Sequence, residues 1–150
     1  MKTLTFEVTI HAPRPLVWST MLEQDGYRAW TSAFSEGCYY VGSWDEGAKI
    51  QFLAPSGDGM TAVIAENKPL EFVSIRHLGV VEKGVEDTTS DKVRAWAPAY
   101  ENYRFSNAPD APDGCRVTVT LDTDPEWEQS MRETYPKALA LLKQLCERSA

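Results

Sequence analysis

The chain has 150 residues, a hydrophobic fraction of 43% and a net charge of −7. That length and apolar content suit one domain, residues 1–150, with a real core. The acidic balance repels phosphates and argues against nucleic acid and anionic membranes as partners.

The first residues alternate. Leu4, Phe6, Val8 and Ile10 interleave with Thr3, Thr5, Glu7 and Thr9, the pattern of a half-buried strand. No apolar leader core precedes it and no apolar run reaches membrane-spanning length. Ala12-Pro13 breaks the strand. Pro13 or Pro15 fits the first turn of a helix whose apolar face is Val17, Trp18, Met21 and Leu22. A second short helix is expected over residues 24–30. Strand patterns follow at residues 37–44, 48–54, 60–66 and 71–81, with Ser56-Gly57-Asp58-Gly59 as a hairpin loop. Residues 82–94 are polar and aperiodic, and read as a solvated loop, a short helix or a lid. Strands over 99–106 and 116–122 flank a turn at 107–114, which holds two Pro, two Asp and a Gly.

Asp122-Thr123-Asp124-Pro125 then opens the longest helical pattern, from about 125 to 148. Asp124 is placed as N-cap, with Pro125 first inside and Glu126 and Glu128 favoured by the positive end of the helix dipole. Met131, Ala138, Leu142 and Leu145 are the residues expected to bury. Pro136 lies within the pattern and predicts a kink or a break near 133–135. One amphipathic helix after a run of strands implies a curved antiparallel sheet of about six or seven strands closed by that helix.

Two polar residues fall on apolar strand faces. Glu101 shares a face with Tyr103 and Phe105, and His77 shares one with Val73 and Ile75. Facing one pocket, they could serve as acid and base. They could equally pair as a satisfied buried network. Five Trp, six Tyr and five Phe are generous for this length and suggest a cavity lining as well as a core. The expected walls are Trp30, Phe34, Met60, His77, Glu101, Tyr103, Met131 and Tyr135, around a small apolar or amphipathic molecule. The competing expectation is a fully packed interior.

Asp122, Asp124 and Glu126 could suggest a cation, but Asp124 already has a capping role and no ligand series continues. Cys38, Cys115 and Cys146 are odd in number and scattered, with no CxxC. They read as free thiols in a reducing cytoplasm rather than a metal site or a disulfide framework. No metal and no organic cofactor is expected.

The order strand, two helices, strands, long helix, with Ile10-His11-Ala12-Pro13 leading into Val17-Trp18, resembles the START-like or SRPBCC superfamily of helix-grip folds. More narrowly, Trp30-Thr31 with Phe34, the run Gly42-Ser43-Trp44-Asp45-Glu46-Gly47, Tyr100-Glu101-Asn102-Tyr103, and Pro136-Lys137-Ala138-Leu139 with Leu142-Lys143 and Glu147 resemble bacterial domains grouped with the activator of heat-shock-protein-90 ATPase. The resemblance spans essentially the whole chain. It implies an α+β helix-grip fold. Its members include binding proteins, enzymes and co-chaperones, so the resemblance implies a binder of a hydrophobic ligand, a cyclase-, dehydratase- or hydrolase-type enzyme, or a co-chaperone-like interaction domain, and a protein partner or a homodimer is expected as an alternative for this chain.

Overall fold

The structure is a computed structural model and describes residues 1–149. Strand β1 (Lys2–Ile10) leads into helices α1 (Arg14–Leu22) and α2 (Gln24–Trp30) and a single 3-10 turn, Thr31–Ala33. Strands β2 (Tyr39–Gly42), β3 (Lys49–Leu53), β4 (Gly59–Lys68), β5 (Phe72–Glu82) and β6 (Val85–Asp87) follow. Helix α3 (Asp91–Arg94), strands β7 (Ala99–Ala108) and β8 (Ala111–Thr123), and helix α4 (Pro125–Ser149) complete the order.

All strand pairs are antiparallel. The sheet order is β1-β8-β7-β5-β4-β3-β2, with β6 pairing β5 beyond the point where β7 leaves it. This is the expected α+β helix-grip arrangement, with two short helices after the first strand and a long helix at the end.

Eight strands replace the six or seven anticipated. The extra one is β6, inside the segment read as a loop. Lys83 and Gly84 both adopt positive φ (52° and 81°), so a two-residue turn joins Glu82 to Val85. Lysine at the first turn position hides that hairpin, because the usual signal there is Asn or Asp. Gly79 lets β6 close in, since a Cβ there would lie 2.1 Å from the Asp87 carbonyl oxygen. Glu86 then reaches Lys49 (2.6 Å), Gln51 (2.6 Å) and Thr61 (2.7 Å), which ties the segment to β3 and β4 rather than leaving it a loose lid. The turn expected at 107–114 is also shorter. Ala108 pairs with Ala111, so β7 and β8 run through most of it.

The core follows the alternation. Leu4 and Ile10 of β1, Val117, Val119 and Leu121 of β8, Tyr103 and Phe105 of β7, and Val73 and Ile75 of β5 bury on the concave face. Asp124 caps α4 through Oδ1, which accepts the Glu126 amide at 3.0 Å. The helix runs unbroken past Pro136, so the sequence-based break does not occur. A proline costs a helix one amide hydrogen bond, and here tertiary packing immediately beyond it holds the chain. Tyr135, Ala138, Leu139, Leu142 and Cys146 are the buried side of α4. Met131 and Leu145, also expected to bury, are only partly covered. No residue from Pro125 to Thr134 is buried, and Trp127 is 58% exposed. The helix therefore grips through its C-terminal half, and its first turns stand off the sheet.

Candidate functional site

Three elements converge on one carboxylate. Glu101 comes from β7, and His77 from the neighbouring strand β5, where its register partner is Ala99. The offset of two residues places the side chains diagonally on one face, within reach of each other. His77 Nε2 lies 2.9 Å from Glu101 Oε1. The other oxygen, Oε2, accepts hydrogen bonds from the Tyr135 hydroxyl, supplied by α4, and from the Tyr103 hydroxyl at 3.4 Å. A bulge at Leu78, the extra residue of β5 between the Thr61–Gly79 and Ala62–His77 pairs, leaves His77 on the inner face.

The cluster is nearly sealed. The side chains of His77 and Glu101 keep 6% and 15% of their exposure. Burial pushes the Glu101 carboxyl up, but the His77 hydrogen bond and charge, with the Tyr135 and Tyr103 hydroxyls, outweigh it and hold the carboxyl below its usual range. Burial, reinforced by the Glu101 charge, raises Tyr103 and Tyr135 well above the usual phenol range, so both remain hydrogen-bond donors. An ionised Glu101 requires its shared proton on His77 Nε2. That leaves His77 Nδ1, which is buried and has no partner among the described residues.

Aromatic rings enclose the carboxylate. Tyr135 stacks on Phe6 at 5.1 Å and meets the edge of Phe34 at 5.1 Å. Trp30 packs on Tyr103 at 6.1 Å and donates its indole N–H to the Met21 carbonyl at 3.0 Å. Phe52 meets His77 edge-on at 5.8 Å. Met131 lies one turn before Tyr135 on the same face of α4 and packs partly against the core.

Of the eight residues expected to line a site, Trp30, Phe34, His77, Glu101, Tyr103, Met131 and Tyr135 share this region. Met60 sits at the start of β4, opposite Phe52 of β3 and Val80 of β5, and is outside the core cluster. Two grooves open on the surface. One, of about 250 Å³, lies by Phe72 and Arg104, and the other, of about 370 Å³, lies between β1 and α4. Aromatic side chains pack between α4 and the sheet. Tyr27 touches Trp30, Tyr40, Trp44 and Phe52, and together with Phe6 supplies the volume that the sequence left unassigned. Tyr27 sits in the polar run Asp25-Gly26-Tyr27-Arg28, where only its i, i+3 spacing to Trp30 could have marked it.

The other residues weighed for chemistry have structural occupations. Asp122 accepts from the Thr3 hydroxyl (2.7 Å) and the Tyr100 amide (3.1 Å), while Asp124 caps α4. Among the described residues no group of three or more His, Cys, Asp or Glu could hold a metal ion. Cys38 donates to the Ser35 carbonyl at 2.9 Å, and burial raises its thiol above the usual range. No described helix is long and apolar enough to cross a membrane.

No family model matches the chain, and no curated protein matches it. Solved structures do. Protein MLL2253 from Mesorhizobium loti superposes with a TM-score of 0.74 at 13% identity, over 99% of each chain. The solution structure of the Aha1 dimer from Colwellia psychrerythraea gives 0.73 at 15% identity, over 98% of this chain and 97% of that one. DynU16, from the dynemicin biosynthetic locus, gives 0.70 at 12% identity, and this chain spans 46% of its length. Identities this low carry the fold and nothing finer. With β1, two short helices, a curved antiparallel sheet and α4 closing over it, the chain has the α+β helix-grip fold of these structures.

Proposed function

We propose that the chain binds a small apolar or amphipathic molecule between the first turns of α4 and the concave face of the sheet, with a polar group of that molecule meeting the Glu101–His77 cluster. One observation carries the proposal. A buried carboxylate is held ionised by His77, Tyr135 and Tyr103, while His77 Nδ1 has no partner among the described residues. Apolar side chains at these positions would serve stability as well or better. A buried ring nitrogen is usually hydrogen-bonded, and a polar group of a ligand could pair with this one. Partly exposed Phe34 and Met131 flank the way in. Because aromatic rings fill the interior, the molecule enters by displacing side chains rather than by occupying a ready cavity.

A catalytic role is the second reading, and the same nitrogen favours it. When His77 is neutral, Glu101 orients the imidazole through Nε2, and Nδ1 can take a proton from a bound molecule. This would suit cyclase-, dehydratase- or hydrolase-type chemistry with His77 as base and Glu101 as its positioning residue. Native mass spectrometry of the purified protein tests binding. A carried small molecule that is lost from Glu101→Gln supports the proposal. A bare mass under gentle conditions, together with no mass shift across a panel of apolar acids, alcohols and ketones, contradicts it.

A further inference from the structure

The two edges of the sheet are unequal. β2 is four residues long and ends at Gly42, while β1 is nine residues long and pairs only with β8. Long open edges invite another strand, and natural proteins usually blunt them. In an antiparallel pair, alternate residues turn both backbone groups toward the partner and the others turn both away. The Thr9 carbonyl accepts from Lys143 Nζ at 3.2 Å, and the His11 amide donates to Glu147 at 2.9 Å. Residues of this parity therefore face away from β8. The close side-chain pairs Thr3–Asp122 (2.7 Å) and Glu7–Thr118 (3.2 Å) agree, since side chains approach most nearly where the backbone bonds point elsewhere. Thr3, Thr5 and Glu7 thus carry the outward N–H and C=O groups. Lys143 closes the edge at Thr9.

We propose that β1 pairs antiparallel with β1 of a second copy of this chain, on a two-fold axis through Thr5. Only that register matches the three free residues with one another. Thr5 faces Thr5, and Thr3 faces Glu7 of the other copy, which forms about six backbone hydrogen bonds with no like charges opposed. The groove of about 370 Å³ runs beside this segment, between β1 and α4, and Phe6 and Val8 keep part of their apolar surface uncovered there. α4 runs in the same direction as β1, from the Lys2–Glu128 contact (3.2 Å) to the Lys143–Thr9 contact (3.2 Å). The same axis sets the two α4 helices antiparallel. The acidic first turn of each, with Glu126 and Glu128, then points toward the end of the other helix that carries Lys143, itself paired with Glu147, so opposite charges approach.

Analytical ultracentrifugation with amide hydrogen exchange tests this. The wild type should be a concentration-dependent dimer in which the Thr3, Thr5 and Glu7 amides become protected as the dimer forms. Thr5→Pro removes an outward donor and no bond within the sheet, and should raise the dimer Kd by at least about tenfold. Thr5→Lys keeps the backbone intact and opposes like charges on the axis, so it should weaken the dimer while the thermal melt of the monomer is unchanged. A wild type that stays monomeric at its highest soluble concentration overturns the proposal. So does a dimer that leaves these amides unprotected, or one that survives both variants.

Discussion

Glu101→Gln and Glu101→Ala separate a network kept for stability from one kept for binding. The carboxylate accepts from His77 Nε2 on one oxygen and from two tyrosine hydroxyls on the other. A glutamine has one acceptor oxygen and one donor amide, so it can satisfy one side only. Either the tyrosines lose their acceptor or His77 must accept from the amide and move its proton to Nδ1. The lost charge-assisted bonds predict a destabilisation of about 1–3 kcal/mol, partly offset because no ion remains buried. Alanine orphans all three donors at once, and about 3–5 kcal/mol is expected. The double replacement Glu101→Leu with His77→Leu removes both members of the pair and leaves only the two tyrosine hydroxyls without their acceptor, so it should cost less than the sum of the two single replacements. Urea unfolding monitored by tryptophan fluorescence gives the three values. Imidazole nitrogen shifts of the wild type should show a proton on Nε2. Two single variants each within about 0.5 kcal/mol of wild type would refute the coupling. So would a double variant that loses the sum of the singles.

Leu142 is fully buried on the gripping half of α4, so Leu142→Ala should lose about 2–5 kcal/mol in the same unfolding assay, and a loss below half a kcal/mol would contradict its place in the core. Acid should act in a defined window. Hydrogen bonds from Lys49, Thr61 and Gln51 lower Glu86 to about 2, and Glu101 is lowered by its own partners, so both carboxyls titrate below the unfolded value of about 4.3. Their stabilisation is present above that value and is lost as pH falls through the folded values. Glu86→Gln should therefore flatten the acid limb of a pH–stability curve, and an unchanged limb would count against the ties that anchor β6.

The fold was legible because its signals are periodic. Alternation along β1, β7 and β8 and the Asp124-Pro125 start of α4 mark their elements without tertiary help. The pairing of Glu101 with His77 was legible in kind for the same reason, since strand period assigns faces. Three features were hidden. The β5–β6 turn uses Lys83 in a positive-φ position where lysine is rare, so no turn signal is written there. The continuity of α4 through Pro136 depends on packing by Tyr135, Ala138 and Leu139, which local propensity does not contain. The filling of the concave face depends on Tyr27 and Phe6, whose inward placement follows from how α2 and β1 dock rather than from any residue pattern.

The central claim is tested most directly by titrating an apolar fluorescent probe into the wild type, Met131→Trp and Glu101→Gln. Met131 is one turn before Tyr135 and partly exposed, so a tryptophan there fills the way in without entering the core. The wild type should bind saturably with one site. Met131→Trp should abolish the signal with no loss of thermal stability, and Glu101→Gln should weaken probes that carry a polar head while sparing purely apolar ones. Equal probe signals from all three proteins, no greater than from an unrelated packed domain, would contradict the claim.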